Sequence, residues 1–539
     1  MVTNVFFCHF DDDLNVMSRN NSFSASLYKL VIISTIARLV LAILLPLGND
    51  EAYYFTYSLQ PDWNHFDHPP LVGLFIRFFT LNQHWVNELS MRLTAIISAA
   101  ICTILIAKCG RLISNEKGGL IAAILYTSSL YTSIISGLFI LPDSPQLVFW
   151  ILSLYIMLQL IRNTGHNQNG KLLLLGITIG LACMCKIHGL FLWLSFGCYI
   201  LFYDRKLLKN PYLYLSALIT VGIISPVIFW NINNDFITWR FHSERVEIGG
   251  RGIDILSFLA TFFGQVFYNN PINVFLAVIS VVALFKSPGF IQQKDARLLC
   301  WSSLPLIIIT TGISLFRQTL PHWSGPGFVA LLLLSAAFTE KQLDSNKAQK
   351  YRRLLRSGMG FIIALVFIGF LSITYLPGSL VNRDQPKTGK GDITLDMYGW
   401  KEFRHEFAKI RDADIKEGRM TSEAPLLVHK WFPGGHLLFY VTWPLDMRII
   451  GEGTLKDLHK FVWLNKKEGF LPEGGDAYYI SPSNYYKDPG EIYKGKFESI
   501  TLIASLPQTR GGKIARYWYI YHLKKALQPI GTQLVNNHK

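Results

Sequence analysis

Apolar positions in this chain fall in long continuous runs. They follow neither the strict alternation of a half-buried strand nor the three-to-four spacing of a surface helix. Runs of roughly twenty such residues are long enough to cross a bilayer as helices. They lie at about 27–47, 90–110, 118–138, 143–162, 171–186, 188–203, 211–230, 257–285, 298–316, 322–339 and 357–376, which predicts eleven spans. The stretch 171–203 is too long for one span and divides at the polar "CKIHG". The stretch 257–285 is interrupted by "YNNP" and reads as a short helix plus a span.

Past residue 377 the pattern changes. A Gly/Pro/Lys linker, "GSLVNRDQPKTGKGD", leads into a helical pattern, "GWKEFRHEFAKIRDADIKEG". Short strand-like runs follow: "PLLVHK", "LLFYVTW", "MRIIGE", "DAYYISPS", "SITLIASL" and "ARYWYIYHL". Alternating helix and strand predicts a small α/β domain. The chain is therefore expected to consist of a tail (1–26), a polytopic α-helical membrane domain (27–376) and a C-terminal α/β domain (377–539).

Composition agrees with a membrane protein. Half of the 539 residues are hydrophobic, only 16% are charged and the mean hydropathy is +0.29. The net charge of +15 does not point to nucleic acid, because the cations lie mostly in short loops between apolar runs. With the N-terminus in the cytoplasm, the inner loops hold 17 Lys and Arg and the outer loops 6. An odd number of spans then puts everything after about residue 377 outside the cytoplasm. The first run lacks a basic leader and a small-residue cleavage site, so it is expected to be a retained helix. Of seven cysteines, none lies in the C-terminal domain, which argues against a disulfide framework.

The polar residues with chemical potential gather in the outer loops. "LGNDEAYY" sets Asp50 and Glu51 side by side after the first run. They are either a solvated helix start or a general base with a helper carboxylate at the membrane boundary. "HFDHPPL" supplies His65, Asp67 and His68. Those three are ligands for a divalent metal, donors to a phosphate or sugar, or part of a Pro-rich turn opening an interfacial helix, "LVGLFIRFFTL". Asp143 in "LPDSPQ" opens a helix and either caps it or faces the same outer cavity as Asp50. Lys186 is a lone cation between apolar runs, snorkelling or paired with a phosphate. In the fourth outer loop Arg240, His242 and Arg245 share one face if the segment is helical, and the fifth contributes His322 and Trp323. Carboxylates and cations on one side suit a phosphate-bearing lipid donor and a sugar. No P-loop or dinucleotide-binding glycine motif follows a predicted strand.

In this order, "NDEAYY", an aromatic stretch ending in "HPPL", "LPDSP", "CKIHGL", "PHWSGPGF" and "YGWKEF" resemble the GT-C glycosyltransferases. The similarity is to the group that holds the protein O-mannosyltransferases and the bacterial aminoarabinose transferases for lipid A, and it covers essentially the whole chain. It implies a polyprenyl-phosphate sugar donor, inversion at the anomeric carbon, and a lipid, glycan or protein acceptor. It also implies catalysis at the outer face of a bacterial inner membrane, with no nucleotide at the site. Asp50 would be the base with Glu51 beside it; Lys186 and the arginines of the fourth loop would bind the donor phosphate. No cofactor is required by this reading, and a divalent metal is compatible with it. "HFDHPPL" departs from the aminoarabinose transferases, which carry a different charged motif there. A transporter would instead place charges near the midplane and show inverted repeats. A scaffold would leave the acid-rich first loop unexplained.

Overall fold

The computed structural model describes residues 21–162, 167–249, 252–286 and 288–532. Most of the expected N-terminal tail, Cys8 and Arg251 lie outside the described residues. In chain order the helices are α1 (Asn21–Leu44), α2 (Asn49–Leu59), α3 (Leu71–Phe79), α4 (Glu88–Ile113) and α5 (Glu116–Ser128). Then come α6 (Asp143–Arg162), α7 (Gln168–Cys185), α8 (Leu190–Tyr203), α9 (Pro211–Asn233) and α10 (Ile237–Val246). The helices α11 (Ile255–Tyr268), α12 (Pro271–Lys286), α13 (Gln293–Ile313), α14 (Gly325–Leu343) and α15 (Ala348–Tyr375) complete this part. Two compact units emerge, and they do not follow chain order. Within the described residues one holds 21–42, 67–72 and 92–365; the other holds 43–66, 73–91 and 366–532.

Among the described residues eight helices are long and apolar enough to cross a membrane: α1, α4, α6, α7, α9, α13, α14 with its preceding turn, and α15. The pair α11 and α12, bent by 96° at Asn269–Asn270, brings the number to nine if it counts as one broken span. Eleven was expected. The apolar run 118–138 is not one helix: α5 stops at Ser128 and a separate π-helical turn covers Tyr131–Ile135. Hydropathy does not register that break because Tyr131, Thr132 and Ser133 are buried in protein, as apolar residues would be. The helix α8 has only 14 residues.

Small residues and hydroxyls hold the helices of the first unit together. At Gly176 of α7 an added Cβ would overlap the Ser216 carbonyl of α9. Across the same contact Ser216 Oγ donates to Leu172 O at 2.6 Å and Thr220 Oγ1 to Gly176 O at 2.8 Å. Such close approach stands in for the hydrophobic driving force that lipid does not supply. One buried ion pair, Arg162 Nε to Asp295 Oδ1 at 3.0 Å, joins α6 to α13.

The second unit carries a five-stranded sheet, made of β1 (Leu426–Val428), β2 (Ile449–Gly451), β3 (Ala477–Pro482), β4 (Phe497–Arg510) and β5 (Lys513–Ala526). Its order is β2-β1-β3-β5-β4, with β1 parallel to β2 and β3, and β5 antiparallel to β3 and β4. Leu427, Ile450, Tyr479, Tyr521 and Leu523 lie in its core. The expected helix appears as α16 (Trp400–Lys416). Five of the six strand-like runs are strands. "LLFYVTW" is not: Leu437–Thr442 is a π-helical segment continuing the short helix α17 (Trp431–His436). All six of its residues are buried, so the run carries no periodicity to separate strand from helix.

Candidate active site

In the first unit several residues expected in the outer loops gather around one ion pair. Asp143, the first residue of α6, is 2% exposed. Lys186 Nζ reaches its Oδ2 at 2.8 Å and its Oδ1 at 3.1 Å. The hydroxyl of Tyr131 donates to Oδ1 at 2.9 Å. Lys186 sits in extended backbone between α7 and a single 3₁₀ turn, Ile187–Gly189. Gln146, one turn along α6 from Asp143, clamps that break by donating to Lys186 O at 2.7 Å and Ala182 O at 3.2 Å. The anion that Lys186 requires is therefore supplied by the protein, 43 residues earlier in the chain. Lys186 is neither snorkelling nor alone.

Histidines gather around this pair. The Asp143 carboxylate lies within electrostatic reach of His322, and both charges of the pair act on His68. The His68 and His242 rings are 5.8 Å apart, and His242 Nε2 donates to the Asp67 carbonyl at 2.6 Å. That bond fixes which ring nitrogen carries the proton. Burial pushes His68 down to about 3, and His242 is lowered for the same reason. Both are neutral near pH 7, able to donate and accept hydrogen bonds without carrying charge. His188 lies tilted against Trp323 with centroids 6.5 Å apart, and its Nδ1 has no hydrogen-bond partner among the described residues. Arg245 lies over the Trp323 ring at 5.3 Å and the Phe241 ring at 5.2 Å. Its helix, α10, turns about 100° per residue. His242 and Arg245 thus lie on one side, while Arg240 is roughly opposite His242 and exposed. The common face expected for all three does not form.

The acidic pair lies in the second unit. The chain does not enter a loop after α1; Asp50 and Glu51 stand in the first turn of α2. Glu51 is 1% exposed and its Oε2 accepts the Gly48 N–H at 2.8 Å, a helix-capping bond. Asp50 is exposed at the same helix start, where two carboxylates complement the free amides. "HFDHPPL" does not close on itself. His65 packs on Tyr57 with centroids 3.8 Å apart, Phe66 stacks on His459 at 4.6 Å, and His68 faces His242. Among the described residues no group of three or more His, Cys, Asp or Glu could hold a metal ion.

Three comparisons show what the chain is similar to. The model of the dolichyl-phosphate-mannose-protein mannosyltransferase family matches residues 67–230. The lipid A galacturonosyltransferase RgtD of Rhizobium johnstonii is 23% identical over 374 residues, covering 67% of this chain and 72% of its own. The crystal structure of ArnT from Cupriavidus metallidurans in the apo state superposes with a TM-score of 0.61 at 13% identity, over 92% of this chain and 98% of ArnT. The chain is a glycosyltransferase of the GT-C fold. The structure of ArnT bound to undecaprenyl phosphate gives the same TM-score, 0.61, at 14% identity over 93% of this glycosyltransferase.

Some residues of the site carried no signal in the sequence. Tyr131 lies in a stretch read as one span, and Gln146 is one amide in a helix. Arg38 is one of two charges in the first run, with Lys29, yet it is buried, and its Nε donates to Ser133 O at 3.1 Å. Asp396, in "GDITLDMYGW", accepts from Asn49 Nδ2 at 2.9 Å and from Tyr485 Oη at 3.1 Å. A buried carboxylate beside the helix start that bears Asp50 and Glu51 is recognisable only in three dimensions.

Proposed function

We propose that this glycosyltransferase moves a sugar from a polyprenyl-phosphate donor to a lipid, glycan or protein hydroxyl at the outer face of a bacterial inner membrane. Its C-terminal α/β domain then lies outside the cytoplasm. The acceptor oxygen attacks the anomeric carbon, the bond from that carbon to the phosphate oxygen breaks, and polyprenyl phosphate leaves with its charge. Asp50 takes the proton lost by the acceptor, and Glu51 holds the start of α2. Lys186 and Arg245 bind the donor phosphate, with His68, His242 and His322 as hydrogen-bonding partners; Arg240, exposed, contributes through long-range attraction. His65 and Asp67 fix the loop that presents His68.

The observation that supports this reading best is the gathering of Lys186, Arg245 and partly buried histidines around one carboxylate. Such a place is poor in net charge until an anion enters. A phosphate would then stabilise protonated imidazole, so binding should take up protons and strengthen as pH falls towards the histidine range. Of the relatives, one acts on lipid A and ArnT has been seen with undecaprenyl phosphate, the donor's leaving group. The test is to compare lipid and glycan mass spectra from cells with the gene, without it, and with Asp50→Asn. A sugar-bearing species lost in the second and third strains is expected. If it persists with Asp50→Asn, Asp50 is not the base.

A further inference from the structure

The segment Leu47–Asn49, which leads into the acid-bearing turn of α2, is gripped by three side chains from the C-terminal part of the same unit. Tyr440 Oη accepts the Leu47 N–H at 2.6 Å and donates to Glu88 Oε1 at 3.2 Å. His436 Nε2 donates to the Leu47 carbonyl at 2.9 Å. Asp396 Oδ2 accepts from Asn49 Nδ2 at 2.9 Å. Both backbone groups of one residue and the side chain of another, adjacent to Asp50, are thus fixed by residues about 350–390 positions later. The fit is close: a Cβ at Gly435, beside His436, would come within 2.8 Å of Tyr53 N and 2.9 Å of its Cα.

We infer that Asp396 is a positioning residue for the transfer reaction, holding Asn49 and through it the orientation of Asp50. The inference rests on the proposed role of Asp50 as base.

Asp396 is 7% exposed, and its Oδ1 has no hydrogen-bond partner among the described residues. A carboxylate that only stabilised the fold would be expected to use both oxygens or to pair with a cation. The groups facing it are Asn49 and Tyr485 as donors, Arg516 of β5, the Asp392 carboxylate, and His436, which contacts its backbone. Arg516 is committed elsewhere, to Gln508 Oε1 at 2.7 Å and Leu395 O at 3.1 Å. Burial, only partly offset by the Asn49 and Tyr485 bonds, raises Asp396 to about 6. His436, pushed down to about 3 by burial, stays neutral throughout that range.

Stability and activity then respond to this carboxyl with opposite signs. Its folded pKa lies above the unfolded value, so ionisation costs stability, and the fold gains as pH drops from 6 towards 4. The grip on Asn49 is strongest when the carboxylate is charged, so turnover falls over the same interval. Asp396→Asn keeps the shape and an acceptor oxygen but removes the charge. The variant should fold at least as stably as the parent at pH 7, keep its KM for the donor, and lose roughly tenfold in kcat. The limb of the kcat profile near pH 6 should disappear. Asn49→Ala should reproduce the loss and not add to it. Parental kcat and an intact limb in Asp396→Asn overturn the inference. Asp50→Asn is measured beside it: if that variant is inactive while Asp396→Asn is normal, only the positioning role fails. If Asp50→Asn is active, the base assignment fails and the inference with it.

Discussion

Asp143 and Lys186 neutralise each other in a buried place, and this decides what a substitution does. Changing Lys186 to Met removes the proposed phosphate ligand and also leaves the Asp143 carboxylate, among the described residues, with Tyr131 alone as side-chain donor. Breaking one partner of a buried pair costs about 3–5 kcal/mol. Lys186→Met should therefore lower the melting temperature as well as donor affinity, which should drop at least about tenfold for a charge-assisted contact worth ~1.5–3 kcal/mol. Asp143→Asn combined with Lys186→Met should restore most of the stability and none of the affinity. Thermal unfolding in detergent and donor titration on the same samples check both. Recovery of affinity in the double variant would show that Lys186 serves the fold alone. The need of Lys186 for an anion was legible in the sequence, since a lone cation between apolar runs demands one. The identity of that anion was not, because it comes from another helix.

At the scale of elements, the start of α14 sets the π-helical turn that carries Tyr131. A Cβ at Gly325 would overlap the Tyr131 ring. The glycine in "PHWSGPGF" is therefore a space requirement in the support of Asp143, with no need for its conformational freedom. Gly325→Ala should push the ring away and break the bond from Tyr131 Oη to Asp143 at 2.9 Å. Tyr131→Phe breaks the same bond without moving the ring. Each should reduce turnover, and the pair in one chain should fall short of the sum, as contacting residues do. Full additivity in a double-mutant cycle on kcat would mean that Gly325 acts through something else. The motif could be read from the chain, and so could α6, α7, α9 and α16, whose periodic or continuous apolar patterns leave one choice. The break at Ser128 and the helical "LLFYVT" segment could not, because burial on every side removes the contrast between polar and apolar faces.

At the scale of the molecule, orientation is set by charge outside the spans. Eight helices would return the chain to its starting side; nine, with α11 and α12 as one broken span, would not. The loops bear on this, since the eleven-span reading puts 17 Lys and Arg on one side against 6 on the other, the asymmetry that holds cytoplasmic loops in place. The junction of α14 and α15 is the strongest single determinant, with Lys341 at the end of α14, Lys347 between the helices, and Lys350, Arg352, Arg353 and Arg356 in the first turns of α15. Its charges resist transfer across the bilayer, so α15 should start inside and end outside. Alkaline phosphatase, active only outside the cytoplasm, should be active when fused after residue 380 and inactive when fused after residue 345. Replacing the six cations with Gln and Ser should weaken that contrast, because no other inner loop holds more than 3. An inactive but stably expressed fusion at 380, with activity at 345, would invert the orientation. The sheet domain and the turn bearing Asp50 would then need a donor sugar supplied on the opposite face of the membrane, which the mass spectra of intact and cytoplasm-depleted cells would distinguish.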